Sequence, residues 1–253
     1  MIYLKSNSEI ALIRENGKIL VEVFEKLDSF IRAGISTKDI DKLVENVITS
    51  HSALPSFKGY RGFPASACVS VNCEVVHGIP SSDRVLKDGD IVSVDIGAFR
   101  NGFHSDAART YAVGEVSDIA KKLIDVTERS FFEGAECAKI GGRVADISAA
   151  VQGYVEANGF GIVRDMQGHG LGRSLHEAPN VPNYVEKGFG VKLTPKIKKG
   201  LVLAIEPMVS EGDWRIKTLS NGWTTVTCDG KLAAHYENTI AVTDNGVAIL
   251  TLD

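Results

Sequence analysis

Apolar residues recur every three to four positions in four stretches of the chain, which predicts four amphipathic helices. Ser6 and Glu9 have the spacing of a capping box, so the first helix is expected to begin after Ser6. Gly34 is expected to end it, because glycine readily adopts the left-handed conformation favoured at helix C-termini. Two further helices are expected to begin after Ser36 and Ser117, and a fourth to run from about Asp146 to Ala157.

Short apolar or alternating runs between and after these helices predict strands. The second half of the chain is especially rich in such runs beyond the fourth predicted helix. The predicted strands are Ala67–Val71, Ile91–Ile96, Thr110–Val113, Leu201–Glu206, Thr224–Cys228, Tyr236–Val242 and Val247–Thr251.

A weak internal repeat links the two halves of the chain. The pattern from Gly34 to Val47 recurs from Gly141 to Tyr154, an offset of 107 residues. In each half two helices are followed by strands, which predicts a central sheet with helices on its outer face. We expect one domain over residues 1–253, with halves of about 1–115 and 116–253. The alternative is that any two amphipathic helices share so short a pattern.

The dipeptide Asn101-Gly102 predicts a tight hairpin turn. A two-residue turn there pairs Gly97 with Asp106 and Asp95 with Ala108, so that both aspartates lie on one face. The Cα atoms of such diagonal neighbours are about 7–8 Å apart, and the two charges repel unless a cation lies between them. The spacing indicates a metal site, and two separate surface aspartates beside a turn are the alternative.

Three later residues are further candidate ligands. Glu206 and Glu237 lie at the ends of apolar runs, and His169 lies between two glycines that leave room for approach to its ring. Each alone is equally well explained as an exposed glutamate or a hydrogen-bonded histidine. Together with the aspartates they form an oxygen-rich set, which favours a pair of ions such as Mn, Fe or Co. Two such ions can activate one water for hydrolysis, and His77 and His176 are available to handle protons.

Composition excludes several other classes of function. The 253 residues include 28 basic and 32 acidic side chains, a net charge of −4, which argues against a DNA partner. No apolar stretch approaches the roughly 18 residues of a membrane span, and the first residues do not resemble a secretory signal. The four cysteines lack metal-finger spacing, so we expect reduced thiols and a cytoplasmic protein.

Six motifs occur in a fixed order along the chain: Cys68–Pro80, Asp90–Gly97, Gly102–Asp106, Gly168–Pro179, Ala204–Met208 and Tyr236–Thr239. Through them the chain resembles the type I methionine aminopeptidases of peptidase family M24 over essentially its whole length. The resemblance implies the pita-bread fold, an α/β architecture of two pseudo-symmetric halves with a curved, mainly antiparallel sheet and outer helices. It also implies a metal-dependent hydrolase that removes the N-terminal methionine of nascent polypeptides when the second residue is small.

The resemblance further implies a site that holds two divalent ions, which can be Co, Mn, Fe, Zn or Ni. A metal-bound hydroxide would attack the first peptide carbonyl with Glu206 as general base, and the free amine of the substrate would bind one metal. His176 would hydrogen-bond the oxyanion, and His77 would contact the scissile or next amide. The implied metal ligands are Asp95, Asp106, His169, Glu206 and Glu237.

The same resemblance implies a methionine pocket of aromatic rings and one thiol, which suits a thioether because sulfur–aromatic contacts are favourable. The alternative is that these aromatic residues are plain core residues. The residues implied for substrate binding are Tyr60, Phe63, Cys68, His77, His176 and Trp223. Two positions depart from the family pattern: Asn238 replaces a histidine after the last ligand, and Leu175 stands where an aromatic residue is frequent, which predicts a looser pocket rim.

Three related families are alternatives. Aminopeptidase P and prolidase share the ligand set but carry a large N-terminal domain, and type II methionine aminopeptidases carry a helical insertion; we expect neither feature here, because the catalytic pattern begins with the first helix and the spacing from His176 to Glu237 is short. A non-catalytic descendant that binds peptide or RNA would have lost ligands.

We expect a monomer. The basic run Lys192, Lys196, Lys198 and Lys199 is read as a solvated loop, with ribosome contact near the peptide exit as the alternative.

Overall fold

The structure is a computed structural model and describes residues 1–186 and 193–252. The four predicted helices are confirmed in this part of the chain, but the first ends at Phe30 rather than at Gly34, because Ile31 already adopts an extended conformation. The hydroxyls of Ser6, Ser36 and Ser117 each accept a backbone N–H from the first turn of the helix that follows. The helices are α1 (Asn7–Phe30), α2 (Thr37–Ser50), α3 (Asp118–Glu136) and α4 (Val144–Ala157).

Helix α4 begins slightly earlier than its apolar pattern indicated. Its first residue is Val144 rather than Asp146. The Asp146 carboxylate accepts the Arg143 N–H at 2.7 Å, so Asp146 is the third residue of the first turn and helps to cap the helix.

Strands make up most of the remaining described chain, and a 3₁₀ turn covers Tyr60–Gly62. The predicted strands are observed, most with ends shifted by one or two residues, and several shorter strands were not predicted. The largest differences are at the hairpin, where the fourth strand continues to Arg100 rather than Ile96 and the fifth begins at Phe103 rather than Thr110. The strands are β1 (Leu54–Pro55), β2 (Ala67–Val71), β3 (Glu74–Val76), β4 (Ile91–Arg100), β5 (Phe103–Ala112), β6 (Gly161–Ile162), β7 (Gln167–Gly170), β8 (Glu177–Pro182), β9 (Val202–Ile205), β10 (Met208–Ser210), β11 (Ile216–Thr218), β12 (Thr225–Thr227), β13 (Ala233–His235), β14 (Glu237–Thr243) and β15 (Gly246–Ile249).

One nine-stranded antiparallel sheet combines strands from both predicted halves. Its main order is β1-β4-β5-β14-β9-β7-β8, with β2 added to β4 and β15 added to β14. The pairing of β5 with β14 joins the two halves at the centre of the sheet. Helices α1 and α2 share one apolar core with β2, β4 and β5, and α3 and α4 contribute to two further cores.

The β4–β5 hairpin has the predicted register, with Gly97 opposite Asp106 and Asp95 opposite Ala108. Asn101 (φ 54°) and Gly102 (φ 79°) both have positive φ, as a type I′ turn requires. The buried Asn16 side chain of α1 donates to the carbonyls of Arg100 and Phe103 at 3.0 and 2.8 Å. Helix α1 thus fixes the turn of the hairpin that carries both aspartates.

The weak sequence repeat corresponds to a repeated hydrogen-bonding arrangement. Gly34 (φ 90°) and Gly141 (φ 89°) share a left-handed conformation. Their N–H groups donate to Leu86 O and Ile197 O at 2.9 and 3.0 Å. Helices α2 and α4, which follow, each have 14 residues. The two halves are therefore pseudo-symmetric, while the single domain over residues 1–253 and its division near residue 115 stay predictions.

Candidate metal centre

Carboxylates and imidazoles form two overlapping groups in the middle of the large sheet. Asp106, His169 and Glu237 form one group, and Asp95, His235 and Glu237 form the other. Within each group, one potential ligand atom per residue lies within 4.8 Å of the others. Glu237 belongs to both groups, which is the arrangement that two neighbouring cations with a shared carboxylate need.

The strand register brings the first-half and second-half ligands together. Ala108 of β5 is paired with Asp95 of β4 on one side and with Glu237 of β14 on the other. Residues directly opposite each other point to the same face of a sheet, so both carboxylates flank the small side chain of Ala108. The backbone of Asp106 is bound twice by Thr239, whose hydroxyl accepts from its N–H at 3.0 Å and donates to its carbonyl at 2.8 Å.

His169 is oriented by its own strand. Its Nδ1 lies 2.9 Å from Gly170 O, and a carbonyl can only accept, so Nδ1 carries the proton and the Nε2 lone pair faces the carboxylates. Nε2 lies 3.5 Å from Glu206 Oε1 and 3.9 Å from Asp106 Oδ2. Glu206, which directly follows β9, thereby joins the first group.

The glycines beside His169 have a second role, which is to allow neighbouring strands to approach closely. A Cβ on Gly168 would lie 2.4 Å from Ala204 O, and one on Gly170 would lie 2.6 Å from Ala178 O. These distances are shorter than real contacts allow. Strand β7 can therefore lie close to β9 and to the start of β8 only because both positions lack a side chain.

The buried carboxylates have the properties of a cation site. Within residues 1–186 and 193–252, Asp95 Oδ1, Asp106 Oδ1 and Glu237 Oε1 are buried and have no hydrogen-bond donor. Burial raises the pKa of Asp95 to about 7, and burial together with neighbouring carboxylates raises the pKa values of Asp106, Glu206 and Glu237 well above their usual range. Such unpaired buried charges are expensive unless a cation neutralises them.

The imidazole of His169 is also in the form that a metal needs. Burial lowers its pKa to about 4, so it is neutral at physiological pH, and a ligand histidine must be neutral. The set of carboxylate oxygens and imidazole nitrogen fits divalent ions such as Mn, Fe, Co or Zn. The residues present therefore fit the group that the sequence predicted.

All eleven residues predicted for the site surround one pocket of about 150 Å³. Its floor carries the metal-ligand candidates. Its wall includes Phe63 and Trp223, whose ring centroids are 5.2 Å apart with the planes nearly perpendicular. Cys68 is paired with Asp95 across β2 and β4, and burial raises the pKa of its thiol. The roles assigned to these residues stay predictions.

The two remaining histidines line the pocket above the carboxylates. His176 is exposed to solvent, and its Nδ1 lies 2.9 Å from the Tyr60 hydroxyl. Its ring centroid is 4.1 Å from that of His169, and partial burial followed by this neighbour lowers the pKa of His176. His77 adopts a positive φ of 60°, an unusual conformation for a non-glycine residue that is common at functional sites.

The two departures from the family pattern have structural explanations. Asn238 is buried behind Glu237, and its Oδ1 accepts from Arg109 Nη2 at 2.7 Å and from Thr251 Oγ1 at 2.9 Å. Arg109 Nη1 also donates to Glu237 O at 2.7 Å. Leu175 is buried and packs with Phe57, Phe63 and Cys68, so it forms part of the pocket wall, and the looser rim stays a prediction.

Sequence reasoning missed three residues at or beside this site. Phe57 and Arg61 line the pocket, and no pattern in the sequence marks them. His235 belongs to the Asp95 group. A signal for it was present, because His235 and Glu237 are two positions apart and such residues face the same side of an extended chain.

Comparison with known proteins identifies the family. A family model described as metallopeptidase family M24 matches residues 11–244. The chain belongs to this family. Membership in M24, a family of metallopeptidases, agrees with the divalent-cation character of the site. Among the described helices, none is long and apolar enough to cross a bilayer.

Within M24 the chain is highly similar to methionine aminopeptidases, which confirms the resemblance predicted from the motifs. The methionine aminopeptidase of Clostridium perfringens is 57% identical over 252 residues, covering 100% of this chain and 99% of that protein. The methionine aminopeptidase structure from Thermotoga maritima has a TM-score of 0.95 at 45% identity and covers 100% of both chains.

A more distant M24 structure shares the fold but not the length. The Xaa-Pro dipeptidase of Bacillus anthracis has a TM-score of 0.78 at 26% identity, and the match covers 99% of this chain but only 62% of that one. These likenesses confirm the pita-bread fold. The match to this dipeptidase has a lower identity and covers less of the matched chain than the matches to methionine aminopeptidases do. The prolidase alternative is therefore the weaker interpretation.

Proposed function

We propose that this protein is a metal-dependent aminopeptidase that removes the N-terminal methionine of polypeptides whose second residue is small. The observation that carries the proposal is the convergence of two ligand groups on Glu237 at the floor of an aromatic pocket. The full-length similarity to methionine aminopeptidases supports the same reaction.

Five residues would hold two divalent cations: Asp95, Asp106, His169, Glu206 and Glu237. Bound there, the cations supply Lewis acidity, which lowers the pKa of a coordinated water and polarises the substrate carbonyl. The sharing of Glu237 between the two groups supports a pair of ions rather than a single one.

The chain's own residues would move protons and orient the substrate. The Glu206 carboxylate lies 3.5 Å from His169 Nε2, and burial raises its pKa well above the usual range. A carboxylate with a raised pKa accepts a proton from water more readily near neutral pH. Glu206 therefore suits the part of general base, and it would pass the proton to the departing amine.

His176 would stabilise the negative charge that develops on the carbonyl oxygen. When the Tyr60 hydroxyl donates to Nδ1, the ring carries its proton on Nε2 and presents a donor to the pocket. His77 lines the same pocket beside Trp223, with 6.2 Å between the ring centroids, and there it would contact the amide of the scissile or second residue.

The pocket wall would bind the methionine side chain. Phe63 and Trp223 supply ring edges and faces, which make favourable contacts with a thioether sulfur. The buried Cys68 adds a soft, compact surface beside Asp95. The neutral thiol, whose pKa is raised by burial, is suited to packing rather than to nucleophilic attack.

A peptide panel tests the reaction. The purified protein should release methionine from Met-Ala-Ser and Met-Gly peptides, cut poorly when the second residue is bulky, and be inactive after chelation until Mn, Co or Fe is returned. Metal analysis of the same preparation should give two ions per chain. Preference for Ala-Pro or Gly-Pro peptides would indicate the prolidase activity instead, and full activity in chelator would refute the metal mechanism.

The proposal also covers the substrates, the oligomeric state and the cellular compartment of the protein. Substrates would be the N-termini of newly made polypeptides, and the protein would act as a monomer in the cytoplasm. Ribosome contact through the basic run stays a prediction: Lys196, Lys198 and Lys199 are exposed, while Lys192 lies outside the described residues. Sedimentation of the protein alone and with ribosomes checks both statements.

A further inference from the structure

His235 is a buried histidine that the implied ligand set does not include. It is the last residue of β13 and is only 1% exposed. The Thr110 hydroxyl fixes its backbone, accepting from His235 N–H at 3.0 Å and donating to His235 O at 2.8 Å. The backbone that carries the imidazole is therefore held by the neighbouring strand β5.

The Nε2 atom of His235 has no hydrogen-bond partner within the described chain. It lies 3.6 Å from Glu237 Oε2, which is longer than a hydrogen bond. One carboxylate oxygen of Asp95, one of Glu237 and one ring nitrogen of His235 all lie within 4.8 Å of one another. A buried imidazole nitrogen and two buried carboxylates thus face one another without any direct contact that satisfies them.

The separations are those of ligands around one ion. Ligand atoms each about 2.1 Å from a cation are about 3.0–3.6 Å apart when the angle between them is about 90–120°. The 3.6 Å between His235 Nε2 and Glu237 Oε2 falls within this interval. An ion between these atoms would also satisfy the unpartnered Oδ1 of Asp95.

We propose that His235 binds, through Nε2, the divalent cation held between Asp95 and Glu237. The inference rests on the proposed metal centre and extends it by one ligand. Each of the two cations would then have its own imidazole: His169 on the Asp106 side and His235 on the Asp95 side. Because imidazole favours Fe, Co, Ni and Zn over Mn and Mg, His235 would tune the Asp95-side ion toward these metals.

A direct test uses cadmium as the probe metal. Chain labelled with ¹⁵N-histidine is stripped with chelator and loaded with ¹¹³Cd²⁺, and scalar coupling between ¹¹³Cd and imidazole nitrogen is recorded by NMR. We expect two coupled Nε2 resonances. The His235→Ala variant should lose one of them and keep the other, which identifies His235, and circular dichroism should verify that the variant is folded.

Affinity measurements give a second, independent readout. Titration of the metal-free protein with Co²⁺ should show two binding events. His235→Ala should lower the affinity of one of them by about 100-fold, which is the upper end of the range for removal of a group that supports a metal ligand. His51→Ala is the matched control, since His51 also faces a carboxylate, Glu22 Oε2 at 2.7 Å, but lies away from the pocket. Both affinities should be unchanged in that variant.

The outcomes separate this inference from the function on which it rests. If cadmium binds and only one imidazole couples, in the wild type and in His235→Ala alike, then His235 is not a ligand while the metal centre stands. If two ions bind with the same affinity in both proteins, the inference is also overturned. If no metal binds at all, both the inference and the proposed metal centre are refuted.

Discussion

Replacement of Asp95 by asparagine should stabilise the metal-free protein at pH 8. In the metal-free state burial raises the pKa of Asp95 from 3.8 to about 7, so the folded chain holds this proton more tightly than the unfolded chain does. The contribution of the carboxyl group to stability is present below about pH 4 and is lost as the pH rises through about 7. Asparagine has nearly the same shape and never ionises, so it avoids this loss.

The magnitude follows from the size of the pKa shift. A shift from 3.8 to about 7 corresponds to about 4 kcal/mol of unfolding free energy at about 1.4 kcal/mol for each pKa unit. The residue is half-buried, and residual access of water reduces the effect, so we expect about 2–4 kcal/mol at pH 8. At pH 5 the unfolded chain has released this proton but the folded chain still holds it. The difference in unfolding free energy between the variant and the wild type should therefore be about half as large as at pH 8.

The assay is urea unfolding of chelator-treated wild type and Asp95→Asn at several pH values between 5 and 8. The buried histidines also affect stability over this range, but they are the same in both proteins and cancel in the difference. The control is Asp39→Asn in the capping box of α2. The Ser36 hydroxyl, followed by Lys42, lowers the pKa of Asp39 below its ordinary value of 3.8. This substitution should therefore destabilise the protein by an amount that stays constant between pH 5 and 8, because Asp39 is ionised throughout this range in both the folded and the unfolded chain.

Two results would refute this reasoning. The first is a metal-free Asp95→Asn protein that is less stable than wild type at pH 8. The second is a stability difference that does not change with pH. Saturating Mn²⁺ should remove or reverse the advantage of the variant, because a cation that binds the folded wild type stabilises it by mass action.

Two further predictions concern the pocket and the hairpin. Tyr60→Phe removes the hydroxyl 2.9 Å from His176 Nδ1 and should lower kcat for Met-Ala-Ser roughly 2- to 12-fold, the value of one hydrogen bond, without changing metal content. His176→Ala should cost roughly 10²–10³, and equal losses in the two variants would contradict the orienting role of Tyr60. Asn16→Ala removes one donor from Arg100 O and one from Phe103 O and should lower the unfolding free energy by about 1–3 kcal/mol, measured in urea. The exposed control Asn46→Ala should change it by less than about 0.5 kcal/mol. An equal effect of the two substitutions would show that the turn does not depend on Asn16.

The sequence predicts local elements well where local chemistry determines them. The Asn101-Gly102 turn fixes the register of β4 and β5, because its twist matches that of the strands it joins. Helices α1 and α2 begin where their serine caps indicate. The hairpin register alone is enough to place Asp95 and Asp106 close together on one face of the sheet.

Strands that depend on tertiary contacts could not be predicted in the same way. Strand β7 consists of Gln-Gly-His-Gly, a composition with little preference for extended structure. It forms because β8 and β9 pair with it, and because Gly168 permits an approach that a Cβ would block at 2.4 Å from Ala204 O. The place of His169 beside Asp106 therefore depends on packing that no local pattern contains.

The pseudo-symmetry of the chain explains why the candidate site lies at the centre of the sheet. The β4–β5 hairpin of the first half supplies Asp95 and Asp106, and the second half supplies the imidazoles and glutamates. Each of the two ligand groups contains residues from both halves, so neither half alone can complete a cation site. Because β5 and β14 meet directly at Ala108 and Glu237, a bound cation would favour the state in which the halves are docked, and metal binding would contribute to folding stability as well as to catalysis.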